Sequence, residues 1–357
     1  MNQKQIPLSP IVWGTFFLIA FGLGYPTLNR YDPRRTGGLR DSVEYYKLVV
    51  STPGTVNGHF RYRVLVPGLA KPLYHAVKGR LGSWDPALFS LLVVNAAFCA
   101  TSALLILHLC SHFLAPAAAA LSALLFLANF SISNFQLSGL VDSAECWALL
   151  AFATCLMRHQ WTALPLIGVL AAMAKETSLP VGAVFACTWL LVERKQTPVP
   201  RRAWLSLVTM CAAALGTLLI VRSLVDGRPV PPWEIITAER LAERFSTSAR
   251  GGLVSAVTSF LQDSSFWLVF SWILPLGALG WRLIPRPWIV AAGTSAACAL
   301  ALGIWSSVGG NVARPMFNAA GPALSAAAAA WIARRAPEGQ RGHWPEGRGS
   351  PPTGHSI

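Results

Sequence analysis

Long apolar runs without charged side chains are the main pattern of this sequence. Six stretches contain no Asp, Glu, Lys or Arg, and each is close to or above the roughly 20 residues that a helix needs to cross the hydrocarbon core of a bilayer. These stretches are residues 8–29, 86–141, 203–221, 264–281, 287–313 and 315–333. They lack the alternating polarity of barrel strands, and an unpaired backbone amide is costly in lipid, so the runs predict membrane helices.

The pattern predicts an all-α polytopic membrane protein with about ten transmembrane helices, built as a single integral-membrane domain over residues 1–335. The fifth and sixth spans are short and are separated by Lys175 and Glu176. They are therefore either two tilted helices or a re-entrant pair. The predicted spans are residues 8–28, 86–109, 113–132, 137–157, 160–174, 177–192, 203–224, 264–282, 287–307 and 314–334.

Two segments between the spans are too long to be simple connections. In the first, residues 30–85, Val43, Tyr46 and Val50 fall on one helical face, and residues 63–78 form a second segment interrupted by prolines. Both are interpreted as amphipathic helices lying in the membrane interface.

The other long segment, residues 223–263, has an apolar stripe beside Arg240 and Arg244, which is typical of a surface-bound platform. Residues 336–357 are rich in Gly, Pro and charge, and they are predicted to be a disordered cytoplasmic tail.

Composition supports the membrane interpretation. Hydrophobic residues make up 54% of the 357 positions and charged residues only 12%, whereas a soluble domain carries about 25% charged residues. The net charge of +14 does not indicate a nucleic-acid partner, because the basic residues sit between apolar runs and not along one polar face. The seven cysteines all fall within apolar stretches and are interpreted as small core residues.

The basic residues of the short loops indicate an orientation, because Lys and Arg accumulate on the cytoplasmic side of a membrane. The turns at residues 131–136 and 307–313 hold no Lys or Arg, which places them, with the long loop 30–85, on the external side. The expected location is the cell (inner) membrane, with both termini in the cytoplasm. The segments expected in the cytoplasm hold Lys4, Arg158, Arg194, Lys195, Arg201, Arg202, Arg282, Arg286, Arg334 and Arg335.

Ionisable side chains at the edge of the bilayer are functional candidates, because they are expensive to place there. Asp142 and Glu145 are three residues apart and share one face of the fourth predicted span. Lys175 and Glu176 lie at the next external turn, and Arg314 begins the last span.

The first external loop adds the carboxylates of Asp41 and Glu44 and the guanidinium groups of Arg61 and Arg63. We therefore predict that carboxylates and cations converge on one external surface, where a lipid-borne substrate can be met.

Each of these groups also has a purely structural interpretation. Asp41 and Glu44 have the spacing of a capping box, in which both side chains satisfy amides at a helix start. Asp142 and Glu145 can pair with Lys175 or Arg314 simply to hold helices together. Arg61 and Arg63 can act as interfacial anchors beside an aromatic ring. His108 and His112 are interpreted as core residues, not as metal ligands.

Several short motifs resemble those of the C-type (GT-C) membrane glycosyltransferases. The first external loop opens with an acidic residue before a Tyr-containing helix (residues 41–46, DSVEYY) and continues into residues 60–70 (FRYRVLVPGLA). Residues 139–145 (GLVDSAE) are similar to the acidic start of a later span in that superfamily. Residues 174–180 (AKETSLP) are similar to its external turn.

The resemblance implies transfer of a sugar from a polyprenyl-phosphate carrier to a lipid, glycan or protein acceptor outside the cytoplasm, with inversion at the anomeric carbon. Family enzymes place a catalytic Asp in the first external loop, and Asp41 matches that position. The three-residue spacing to Glu44 departs from the adjacent Asp-Glu of several relatives, so Glu44 and Asp142 stay open as the base.

Cations are expected to stabilise the departing phosphate. The candidates are Arg61, Arg63, Lys175 and Arg314. Glu145 and Glu176 complete the predicted substrate-binding set. The motifs indicate no particular cofactor, although the pair Asp142 and Glu145 can hold a divalent metal such as Mg²⁺.

Two other functions fit the same charges. A transporter or flippase of a lipid-linked or small anionic solute also needs intramembrane charges, but usually near the midplane and on broken helices. A non-catalytic membrane subunit can use external charges to hold a partner.

Overall fold

The computed structural model describes residues 9–30, 40–51, 53–228, 230–231, 258, 261–306 and 312–335. Within these residues every regular element is helical and there is no strand, which confirms the predicted all-α class. The predicted platform, most of which falls in residues 232–257, and the predicted tail at residues 336–357 lie outside the described residues.

The α-helices begin and end at the following residues. They are α1 (Pro10–Gly24), α2 (Thr27–Arg30), α3 (Arg40–Val50), α4 (Leu65–Val77), α5 (Pro86–Cys110), α6 (Pro116–Leu127), α7 (Asp142–Met157), α8 (Leu164–Ala174), α9 (Ser178–Glu193), α10 (Arg201–Asp226), α11 (Ser264–Phe270), α12 (Ile273–Gly280), α13 (Arg286–Ser306) and α14 (Ala313–Arg335).

Five helical segments of the described chain are long and apolar enough to cross a membrane. They are Pro10–Asn29, Pro86–Cys110, Arg201–Asp226, Ser264–Leu283 and Ala313–Arg335. These segments indicate a membrane-embedded protein.

The ten predicted spans are not confirmed. Helix α6 has 12 residues and α8 has 11. At 1.5 Å per residue, a helix as short as α8 covers only about 17 Å of a hydrocarbon core about 30 Å thick.

Local sequence signals explain where several helices begin. Helix α5 starts with Pro86, and the carboxylate of Asp85 accepts hydrogen bonds from the amides of Ala87 (2.8 Å) and Leu88 (3.2 Å). Asp263 caps α11 in the same way through the amide of Ser265. These caps satisfy amides that would otherwise lack partners at the helix ends.

Helix α14 forms the centre of the bundle and is buried along most of its length. It packs against α6, α7, α12 and α13, and its run of alanines allows close approach. Gly280, the last residue of α12, lies directly against the carbonyl oxygen of Ala327, where a Cβ atom would not fit. Small residues therefore bring these helices close together, as they do in membrane helix pairs.

The first predicted external loop forms two helices, α3 and α4, as expected. The apolar face of α3 differs from the predicted one, because its most buried apolar residues are Tyr45, Leu48 and Val49. Pro72 does not break α4, which runs through it. Both helices pack against the bundle, and α3 contacts α4 and α5.

Candidate functional site

Five charged side chains from three helices and the end of a fourth join at one end of the bundle, and we call them the ionic cluster. They are Asp41, Asp142, Glu145, Lys175 and Arg314. Lys175 Nζ lies 3.0 Å from Asp142 Oδ1 and 2.9 Å from Glu145 Oε2. Arg314 contacts Asp142 Oδ2 through Nη2 at 2.5 Å and through Nε at 3.2 Å, and it reaches Asp41 Oδ2 through Nη1 at 3.1 Å.

Helix ends place these side chains together. Asp41 lies in the first turn of α3, and Asp142 and Glu145 lie in the first turn of α7, where carboxylates are favoured by the helix dipole. Lys175 is the C-cap of α8 and is extended, with φ −165° and ψ 136°. Arg314 is the second residue of α14. Helices α3, α7 and α14 and the end of α8 thus supply the ionic cluster.

A glycine turn brings α7 to α3. Gly139 has φ +76°, a left-handed conformation that favours glycine, and it lies just before the start of α7. A Cβ atom at this position would meet the Cβ atom of Ser42 at 3.5 Å. The turn therefore approaches the first turn of α3 closely, beside Asp41.

Three polar residues outside the predicted site support the buried carboxylates. Asn318 Nδ2 donates to Glu145 Oε2 at 2.8 Å, and Gln136 Nε2 donates to Asn318 Oδ1 at 3.0 Å. The hydroxyl of Thr177 donates to Glu145 Oε1 at 2.9 Å. For Gln136 and Asn318 the available signal was an uncharged polar residue inside an apolar run, because a buried polar group needs a partner.

The carboxylates of the ionic cluster differ in how far they are buried. The side chains of Asp142 and Glu145 are each 1% exposed, whereas that of Asp41 is 33% exposed. Three carboxylates face two cations, which leaves one formal negative charge in the ionic cluster. Asp142 contacts both cations, and Asp41 is the carboxylate of the ionic cluster that solvent reaches.

Glu44 lies on the same helix as Asp41 but does not join the ionic cluster. Its carboxylate accepts hydrogen bonds from the backbone amide of Asn57 (2.9 Å) and from Lys47 Nζ (2.8 Å). Burial alone would raise the pKa of Glu44, but these two partners outweigh it and lower that pKa. Both oxygens of Glu44 thus have partners away from Asp41.

Arg63 and Glu176 form a second ion pair next to the ionic cluster. Arg63 donates to Glu176 through Nη2 at 2.6 Å and Nε at 2.9 Å, and through Nη1 to the hydroxyl of buried Tyr45 at 2.8 Å. Burial alone would raise the pKa of Glu176, but the facing guanidinium lowers it from 4.5 to about 2. Tyr45 connects this pair to α3, one turn after Asp41.

Arg61 is not brought to the ionic cluster. Its Nη2 lies 2.9 Å from Asp226 Oδ1 at the end of α10, and the hydroxyl of Tyr62 donates to Asp226 Oδ2 at 2.6 Å. The guanidinium of buried Arg222 lies over the Tyr62 ring at 4.7 Å. These residues fasten the first loop to α10.

The donors required by a metal ion are already engaged. Among the described residues there is no group of three or more His, Cys, Asp and Glu side chains that could hold a metal ion. Asp142 and Glu145, the pair considered for Mg²⁺, are bound by Lys175, Arg314 and Asn318. The residues present therefore do not fit a divalent metal without rearrangement of these ion pairs.

No protein-family model and no curated protein matches this chain. A partly exposed carboxylate beside a guanidinium can accept a proton, and a buried ion-pair network can hold both groups in place. The roles predicted for the individual residues stay predictions.

Proposed function

We propose that this protein is a membrane glycosyltransferase that transfers a sugar from a polyprenyl-phosphate carrier to a lipid, glycan or protein acceptor. The single observation that carries the proposal is the position of Asp41. It is the most exposed carboxylate of the ionic cluster, and it lies next to Arg314 at one end of a bundle of apolar helices. A substrate anchored in the membrane can reach such a position by lateral diffusion.

Asp41 acts as the general base in this proposal. Its carboxylate accepts the proton of the acceptor hydroxyl while the hydroxyl oxygen attacks the anomeric carbon. The bond between that carbon and the phosphate oxygen breaks, and its electron pair leaves with the polyprenyl phosphate. Attack from the face opposite the leaving group inverts the anomeric configuration.

The rest of the ionic cluster positions the reacting groups. Arg314 joins Asp41 to Asp142, and its guanidinium has N–H groups beyond these contacts for an incoming phosphate. Asp142 and Glu145 are buried and paired, so we assign them to holding Arg314 and Lys175 in place. Glu44 is engaged with the amide of Asn57 and is a weaker candidate for the base than Asp41.

The membrane arrangement completes the proposal. We propose an orientation with both termini in the cytoplasm and the ionic cluster on the outer side of the cell membrane. Helices α6, α7, α8, α9 and α13 then complete a bundle of up to ten crossings. The similarity of residues 41–46, 139–145 and 174–180 to the GT-C glycosyltransferases supports this arrangement.

Transfer by the purified protein tests the proposal. The protein is reconstituted in nanodiscs with a panel of polyprenyl-phosphate hexoses and a membrane lipid extract, and the glycosylated product and released polyprenyl phosphate are detected by mass spectrometry. We expect product with the wild type and little with Asp41→Asn. Equal product with both proteins would remove Asp41 as the base, and vesicle uptake or lipid flipping without any transfer would favour a transporter.

A further inference from the structure

A basic cleft lies at the end of the bundle opposite the ionic cluster. Helices α7 and α14 both begin at the ionic cluster, so their last residues lie at the other end. The cleft there has a volume of about 450 Å³ and is formed by the end of α12, the 3-10 turn Trp281–Leu283 that follows it, and the end of α14. The described residues that line it are Leu279, Arg282, Leu283, Trp331, Arg334 and Arg335.

The lining of this cleft combines positive charge with an apolar surface. Three arginines provide positive charge, and none of the described lining residues is a carboxylate. Leu279, Leu283 and Trp331 provide an apolar wall beside the arginines. In the ionic cluster, by contrast, every cation is paired with a carboxylate.

Aromatic rings orient two of the guanidinium groups at this end. Arg335 Cζ lies 5.4 Å from the centre of the Trp331 ring, and Arg282 Cζ lies 5.4 Å from that of Trp281. A guanidinium held over a ring still has its N–H groups available in the plane for an anion. Tryptophan is also the residue that membrane proteins place at the level of lipid headgroups.

We infer that this cleft binds the phosphate headgroup of an anionic membrane lipid. The arginines can donate hydrogen bonds to the phosphate, and the leucines and Trp331 can contact the first part of an acyl chain. A free phosphate ion would gain nothing from the apolar wall, so the lining favours a lipid as the source of the phosphate. Basic pockets between membrane helices recognise lipid headgroups through the same combination. This site is independent of the proposed transfer reaction.

Lipid binding to the purified full-length protein tests this site. Native mass spectrometry in detergent measures retention of phosphatidylglycerol, with zwitterionic phosphatidylcholine as the comparison lipid. We expect the variant Arg282→Gln/Arg334→Gln/Arg335→Gln to lose affinity for phosphatidylglycerol on the order of a hundredfold, since three interfacial cations are removed. All three arginines are exposed, so the fold should be retained, which circular dichroism checks.

A matched variant separates the cleft from general surface charge. Arg194→Gln/Arg201→Gln/Arg202→Gln also removes three exposed arginines, from the end of α9 and the start of α10. This control should bind phosphatidylglycerol as the wild type does. Equal losses in the two variants, or no loss in the cleft variant, would overturn the proposal.

A second variant tests the apolar wall. Leu279→Ser should weaken retention of phosphatidylglycerol, whereas Leu205→Ser, on the exposed face of α10, should not. Displacement of the lipid by inorganic phosphate at millimolar concentration would show a simple anion site and would overturn the lipid assignment.

Discussion

Arg314 and Asp41 are 273 positions apart in the chain and are joined by an ion pair of 3.1 Å. The same guanidinium also binds Asp142, so one arginine links the first turns of α3, α7 and α14. This link leaves Asp41 partly exposed while it buries Asp142. The contrast between the two carboxylates is the basis for assigning them different roles.

Asp41→Asn should abolish most of the sugar transfer without unfolding the protein. The amide can still accept a hydrogen bond from Arg314 but cannot accept a proton at neutral pH. We expect transfer to fall by about 10² to 10⁴, the usual contribution of a positioned base. Stability should change by less than about 1 kcal/mol, as for a partly exposed ion pair. Single-turnover transfer and thermal unfolding of the same preparation measure both effects.

Glu44→Ala is the matched control on the same helix. It leaves the amide of exposed Asn57 without its protein acceptor and should cost about 0.5 to 1.5 kcal/mol of stability. Transfer per folded molecule should stay near the wild-type value. A large loss of transfer here, together with normal transfer in Asp41→Asn, would move the base to Glu44.

Lys175→Met should destabilise the protein before it affects donor binding. Lys175 is a predicted contact of the donor phosphate, and in that role its removal would weaken donor binding more than folding. The contacts change that expectation, since Lys175 neutralises both Asp142 and Glu145 in a buried site. Removal of one partner of a buried ion pair costs about 3 to 5 kcal/mol. Thermal unfolding in detergent should show the loss.

Lys195→Met provides the comparison for that substitution, because Lys195 is exposed between α9 and α10. Its unfolding temperature should equal that of the wild type. If Lys175→Met unfolds at the wild-type temperature but binds the donor weakly, Lys175 contacts the donor directly.

Acid should weaken the pair between Arg63 and Glu176. The pKa of Glu176 is lowered from 4.5 to about 2 in the folded protein, so its ionised form stabilises the fold above pH 4.5. This contribution is lost as the pH falls from 4.5 toward 2, because protons bind more tightly to the unfolded chain. Unfolding temperatures between about pH 6 and pH 3 should therefore fall less steeply in Glu176→Gln than in the wild type. Parallel profiles would contradict the assignment.

The proposed orientation can be tested with a pair of introduced cysteines. Asn57 is exposed in the first loop, and Thr197 is exposed in the connection between α9 and α10 at the opposite end of the bundle. A membrane-impermeant thiol reagent should label Asn57→Cys in intact cells and Thr197→Cys only after lysis. The wild type, with its seven native cysteines, gives the background. The reverse pattern would invert the orientation and place the ionic cluster in the cytoplasm.

The sequence by itself determined the helical class and most of the ionic cluster. Uncharged apolar runs predict helices, because lipid offers no hydrogen-bond partners to backbone amides and carbonyls that a helix would pair. Rare charges at the ends of those runs identified Asp142, Glu145, Lys175 and Arg314, because each one needs a partner in such surroundings, and the first external loop added Asp41. These predictions depend on local composition, which a single sequence contains.

Only the tertiary structure decided which of these charges meet and which are exposed. Glu44 lies three residues from Asp41, yet it turns to the amide of Asn57, and Arg61 lies two residues from Arg63, yet it binds Asp226. Helix rotation and packing decide such choices, and neither follows from spacing in the chain. Asn318 and Gln136 were not predicted, because their role depends on packing. Packing places Asn318 beside the buried carboxylate of Glu145, and Gln136 beside Asn318.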